Sequence, residues 1–283
     1  MRIARAVLAT FMTAALAAAG AAASSKPSKP RSLPPSDSLA LERLDTSPRH
    51  GEFVDIPYGA EGVRLRTWVV YPERKDKAGV VLMIHEIFGL STWMRGVADQ
   101  VAAEGFIAVT PDLISGMGPG GGGTDSVATR DDVVKLIRSL SADDARARLD
   151  AVRAWAAKLP STNGKVATMG FCWGGARSFE YAAADPPPQA AVVFYGTAPD
   201  SSVLMRVRAP VLALYGGDDA RVDATIEPAK AVLEAVHASY EPHVYEGAGH
   251  GFLRQQEGRD GANRSATEKA WPRVVEFLRA KLK

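Results

Sequence analysis

The sequence contains a single cysteine, Cys172, among 283 residues. No intrachain disulfide can form, and zinc sites built from four cysteines, or from paired cysteines and histidines, are excluded. An excess of one charge is also lacking: 34 Lys and Arg face 32 Asp and Glu, a net +2. That is too small an excess for a dedicated nucleic-acid binder. The apolar stretch Val7–Ala23 is rich in alanine and weakly hydrophobic for a stable span of ~20 residues. Arg2 and Arg5 precede it, and Ala21-Ala22-Ala23 offers small residues for cleavage. Residues 1–23 therefore read as a secretory signal peptide, which predicts an exported protein, periplasmic or secreted, with no stable membrane insertion once the leader is removed. Removal takes away two arginines and no acid, so the basic and acidic residues become equal in number.

The chain as a whole has ordinary globular composition, 46% hydrophobic and 23% charged. Residues 24–50 carry Pro27, Pro30, Pro34, Pro35 and Pro48 among serines and charges, and read as a flexible tether. From 51 to 283 strand and helix patterns alternate, which predicts βαβ units on a mostly parallel sheet, helices on both faces, in one α/β domain. Phe53–Tyr58 and Val63–Tyr71 read as an edge hairpin. Val80–Ile84 is a short unbroken apolar run, suited to a strand buried on both faces. Residues 115–124 are a glycine-rich loop, read either as a mobile lid or as a disordered connection.

Gly170-Phe171-Cys172-Trp173-Gly174-Gly175 follows a predicted strand and opens a predicted helix. This is the G-x-nucleophile-x-G elbow with cysteine in the serine position. The turn is sharp enough to leave no room for flanking side chains. The helix N-terminus adds free N–H groups and a positive dipole, which lower a thiol pKa and stabilise an oxyanion. The elbow requires nucleophile, acid and histidine in that chain order. Asp218 and Asp219 follow the predicted strand Val211–Tyr215, and His250 follows the last predicted strand inside Gly249-His250-Gly251. Both lie in loops after strand C-termini, where open α/β sheets collect their active sites. His50, His85, His237 and His243 lack this context.

These segments resemble the dienelactone hydrolase family of α/β-hydrolases, from about Gly51 to Leu282. The resemblance rests on Gly-Phe-Cys-Trp-Gly-Gly, on His85-Glu86-Ile87-Phe88-Gly89, on Gly216-Gly217-Asp218-Asp219 and on His250-Gly251-Phe252. It implies an α/β-hydrolase fold and a Cys172, His250, Asp219 triad that cleaves an ester or lactone through a thioester, with no cofactor and no metal. Asp219 is preferred to Asp218 because the family pattern is Gly-Gly-x-Asp. The resemblance further implies that Glu86 keeps the cysteine a resting thiol, that the backbone N–H groups of Trp173 and Ile87 hold the oxyanion, and that Arg254 receives a substrate carboxylate. The family's second arginine, from the loop after the fourth strand, has no counterpart between Leu113 and Thr129.

Two rival readings stay open at this level. One is a general short-chain carboxylesterase that needs no substrate carboxylate. The other is a silent binding protein that keeps the fold as a scaffold. A thiol-disulfide role is disfavoured because no resolving cysteine exists.

Overall fold

The structure, a computed structural model, describes residues 32–59 and 62–283. The leader expected over 1–23 and the first part of the tether lie outside the described residues.

Eight strands form one sheet: β1 Gly51–Tyr58, β2 Val63–Val70, β3 Ala78–Ile84, β4 Ile107–Pro111, β5 Thr162–Phe171, β6 Ala191–Phe194, β7 Val211–Gly216 and β8 Tyr240–Tyr245. Their spatial order is β1-β2-β4-β3-β5-β6-β7-β8. β1 and β2 form the expected edge hairpin, and β2 runs antiparallel to β4; every other pairing is parallel. The helices are α1 Ala40–Asp45, α2 Thr92–Ala103, α3 Arg130–Ser139, α4 Ala142–Ala156, α5 Trp173–Tyr181, α6 Ser201–Leu204, α7 Ala220–Asp223, α8 Ile226–Ala235 and α9 Ala262–Leu282. The sequence patterns anticipate neither α1 nor the one-turn α6 and α7, which are too short for a periodic signal.

β3 shows why its sequence has no polar alternation. Val81 and Met83 face a layer containing Trp93 and Val97 of α2 and Trp271 and Val274 of α9. Val80, Leu82 and Ile84 face Leu149 and Val152 of α4 on the other side. Both faces are dry, so each strand position favours an apolar residue. The parallel register then aligns the strand ends. Ile84 pairs with Gly170 and Phe171 with Phe194. The loops after β3, β5, β7 and β8 therefore open on one edge of the sheet, and these are the loops that carry Glu86, Cys172, Asp219 and His250.

Residues 32–50 differ from the flexible tether expected of them. The Trp93 indole N–H donates to the Pro35 carbonyl at 3.0 Å, and the Gln256 amide donates to Pro34 at 2.9 Å. Arg43 donates to the Leu33 carbonyl and the Gln100 side chain. Ala40 is buried against α2. Prolines pre-extend this strand of chain, so its ordering costs less entropy than their loop-like character suggests. The donors that fix it lie tens to hundreds of residues away and leave no local signal.

Candidate active site

Cys172 sits between β5 and α5 at φ 56°, ψ −116°, a backbone strained for any residue with a side chain. The glycines around it are required by space. A Cβ on Gly170 would lie 1.9 Å from the Gly174 carbonyl oxygen, and one on Gly174 would lie 2.3 Å from that of Ile84. The Cys172 N–H donates to Phe194 O at 3.0 Å, tying the turn to β6.

The thiol faces His250. His250 Nε2 lies 3.0 Å from Cys172 Sγ, and His250 Nδ1 lies 2.5 Å from Asp219 Oδ2. Asp219 is buried, whereas Asp218 points outward to Arg259 at 2.9 Å. The geometry thus joins the three residues the sequence put forward and separates Asp218 from them. The two loops are stitched together by Asp218 N–H to Ala248 O at 2.9 Å, and Gly249 N–H donates to Asn263 Oδ1 at 2.9 Å. Such a chain can deprotonate a thiol through the imidazole, with the carboxylate fixing its tautomer.

Glu86 is buried at 3% exposure, and Arg254 Nε donates to its Oε2 at 2.8 Å. Burial pushes the Glu86 carboxyl up to about 7, against the pull of the Arg254 charge. Burial, then the Glu86 charge, push the Cys172 thiol up to about 11. The backbone N–H groups of Trp173 and Ile87 both hydrogen-bond toward the sulfur and pull the other way, as does the charge of Arg221. The helix-terminus effect expected to lower the thiol pKa is present but loses. The same two N–H groups converge beside the sulfur.

His85 explains how the Ile87 N–H is held. Burial lowers the His85 pKa, so the ring is neutral. Its Nδ1 lies 2.7 Å from the Glu86 carbonyl, and its Nε2 accepts from Leu113 N–H at 3.1 Å. These partners fix the tautomer with the proton on Nδ1. The ring also stacks on Trp173 at 5.7 Å.

Three further residues face the site without a sequence signal that singles them out. Tyr195, at φ 40°, packs edge-on to His250 at 5.2 Å. Its buried hydroxyl lies near Glu86 and Cys172 without a well-directed hydrogen bond among the described residues. Arg130 lies 3.5 Å over the Phe88 ring, and Arg254 lies 5.2 Å from the same ring. Arg130 is the first residue of α3, immediately after the arginine-free stretch from Leu113 to Thr129. Asp37 reaches Arg254 from the N-terminal segment.

The glycine-rich loop between β4 and α3 is pinned. Thr124 N–H and Oγ1 donate to the buried Asp112 carboxylate at 2.6 and 2.9 Å, and Leu90 N–H donates to Thr124 Oγ1 at 3.1 Å. No group of three or more His, Cys, Asp or Glu is placed to hold a metal among the described residues. None of their helices is long and apolar enough to cross a membrane.

The dienelactone hydrolase family model matches residues 65–282. The chain belongs to the dienelactone hydrolase family. It is 31% identical to a carboxymethylenebutenolidase of Pseudomonas putida over 209 residues, covering 72% of this chain and 86% of that one. Among solved structures it is similar to a dienelactone hydrolase-like promiscuous phosphotriesterase from metagenomic libraries, with a TM-score of 0.69, 25% identity, and coverage of 83% of this chain and 99% of that one. A dienelactone hydrolase from Anabaena variabilis shares the fold with a TM-score of 0.60 at 23% identity, covering 82% of this chain and 99% of that one. With its family, this chain is a carboxylic ester hydrolase.

Glu86 carries a testable pH signature. Its folded pKa of about 7 stands above the ordinary 4.5. Between these values the folded state holds a proton that the unfolded state has released, so stability falls as pH rises through this window. The full effect is about 3 kcal/mol. Glu86→Gln removes the titration while keeping an acceptor for Arg254. Urea denaturation should show the variant gaining on wild type from pH 5 to pH 8; a difference that does not change with pH would refute the assignment.

Proposed function

We propose that this enzyme hydrolyses carboxylate-bearing esters or lactones through a thioester on Cys172. The observation that supports this best is the continuous contact from Asp219 through His250 to the Cys172 sulfur. At rest, burial and Glu86 keep Cys172 protonated. An anionic substrate group engages Arg254, with Arg130 across the Phe88 ring as the second cation. Glu86 then loses its partner, becomes more basic and takes a proton from water, which removes the charge that opposed ionisation of the thiol, and His250 takes the thiol proton. The sulfur attacks the carbonyl, and the N–H groups of Trp173 and Ile87 stabilise the oxyanion. His250 protonates the leaving oxygen. It then draws a proton from the water that cleaves the thioester, returning the thiol and releasing the acid. The leader read in residues 1–23 supports a site of action outside the cytoplasm.

One observation favours the general carboxylesterase as a second reading. Arg254 already lies against two carboxylates, Glu86 and Asp37. The two readings separate on the purified enzyme. A lactone bearing a carboxylate should show a higher kcat/KM than its methyl ester. Equal values would favour the second reading, and no turnover of either would contradict both.

A further inference from the structure

Residues 32–39 form a strap packed beside Arg254. Its anchors are backbone carbonyls and serines. Pro35 O accepts from Trp93, Pro34 O accepts from Gln256, and Ser36 Oγ donates to Glu257 at 2.5 Å. Asp37 contributes its own N–H, which donates to the Arg254 carbonyl at 2.9 Å. The Asp37 carboxylate is therefore not needed to hold the strap. It instead lies 3.5 Å from Arg254 Nη1, with the carboxylate about half exposed and the guanidinium largely buried. Glu86 holds the Nε side of the same guanidinium. An incoming anion meets an arginine with a carboxylate already on its solvent side.

We propose that Asp37 is a specificity-determining residue, whose carboxylate competes with the anionic group of the substrate for Arg254 and shifts the enzyme toward neutral esters. The proposal rests on the reading of Arg254 as the anion receiver. Two effects act in one direction. The Arg254–Asp37 contact must be given up for an anion to bind, and the two negative charges then repel at short range. The pair is partly open to water, so the effect is modest and weakened by salt.

The test compares p-nitrophenyl acetate with the monoanion mono-p-nitrophenyl glutarate, which share a leaving group. Asp37→Asn keeps the shape and removes the charge. It should raise kcat/KM for the glutarate about 2- to 5-fold at low ionic strength, through KM. The acetate should change less than that, and the gain should shrink in added salt. Asp37→Glu should restore wild-type selectivity. In an Arg254→Gln background the gain should vanish. An unchanged or lowered kcat/KM for the glutarate in Asp37→Asn would overturn the proposal; a lowered value would make Asp37 a residue that positions Arg254. If Arg254→Gln still reduces the glutarate-to-acetate ratio in that case, the Arg254 reading survives alone. If Arg254→Gln leaves the ratio unchanged, both fall.

Discussion

Replacing Cys172 by alanine should lower kcat by roughly 10⁴-fold or more on every ester substrate, because the proposed thioester on Cys172 can no longer form. The fold should persist. The site's shape comes from Gly170, Gly174 and Gly175, whose close backbone approaches do not involve the sulfur. Alanine adopts the strained φ of 56° no better and no worse than cysteine does. The melting temperature should therefore move little while activity disappears. Cys172→Ser keeps the geometry and the His250 base, so weak ester hydrolysis should survive above the alanine level. Activity near wild type in Cys172→Ala would remove the thiol from the chemistry altogether.

Arg254→Ala should act differently on different substrates. A charge-assisted hydrogen bond to a substrate carboxylate contributes about 1.5–3 kcal/mol, so kcat/KM for carboxylate-bearing lactones should fall about 10- to 150-fold further than for a neutral ester. Neutral esters should not escape entirely. Arg254 is the partner of the buried Glu86, and its charge holds the Glu86 pKa down. Without it Glu86 rises further above about 7 and stays protonated at neutral pH, which moves the pH profile for all substrates. Arg254→Lys should keep the charge toward Glu86 but lose the paired geometry toward a carboxylate, and so recover only part of the selectivity. Equal losses on anionic and neutral substrates would make Arg254 purely structural.

What could be seen in the sequence follows from how local each cause is. The elbow was legible because its glycine spacing is imposed within one short segment, Gly170 to Gly175, by the strand-to-helix turn. The order Cys172, Asp219, His250 was legible because each residue ends a strand-loop unit with its own apolar run. Strands such as β3 were legible because both faces are buried. The Glu86–Arg254 contact joins residues 168 apart, and only the resemblance drew attention to each of them separately. Arg130 and Asp37 reach Phe88 and Arg254 through packing that no periodicity encodes. The direction of the thiol shift was ambiguous for the same reason. N–H groups at a helix start can be inferred from sequence, but the burial that outweighs them is a property of the assembled site. The proline-rich segment misled because composition reports how a free chain behaves, whereas Trp93 and Gln256 hold this one in place.

The thioester on Cys172 is the central claim, and mass spectrometry of enzyme acid-quenched during turnover of a p-nitrophenyl ester tests it most directly. The peptide carrying Cys172 should gain the mass of the acyl group, and the adduct should be removed by hydroxylamine and absent from Cys172→Ala. Full turnover with the acyl group found on another residue would contradict the account.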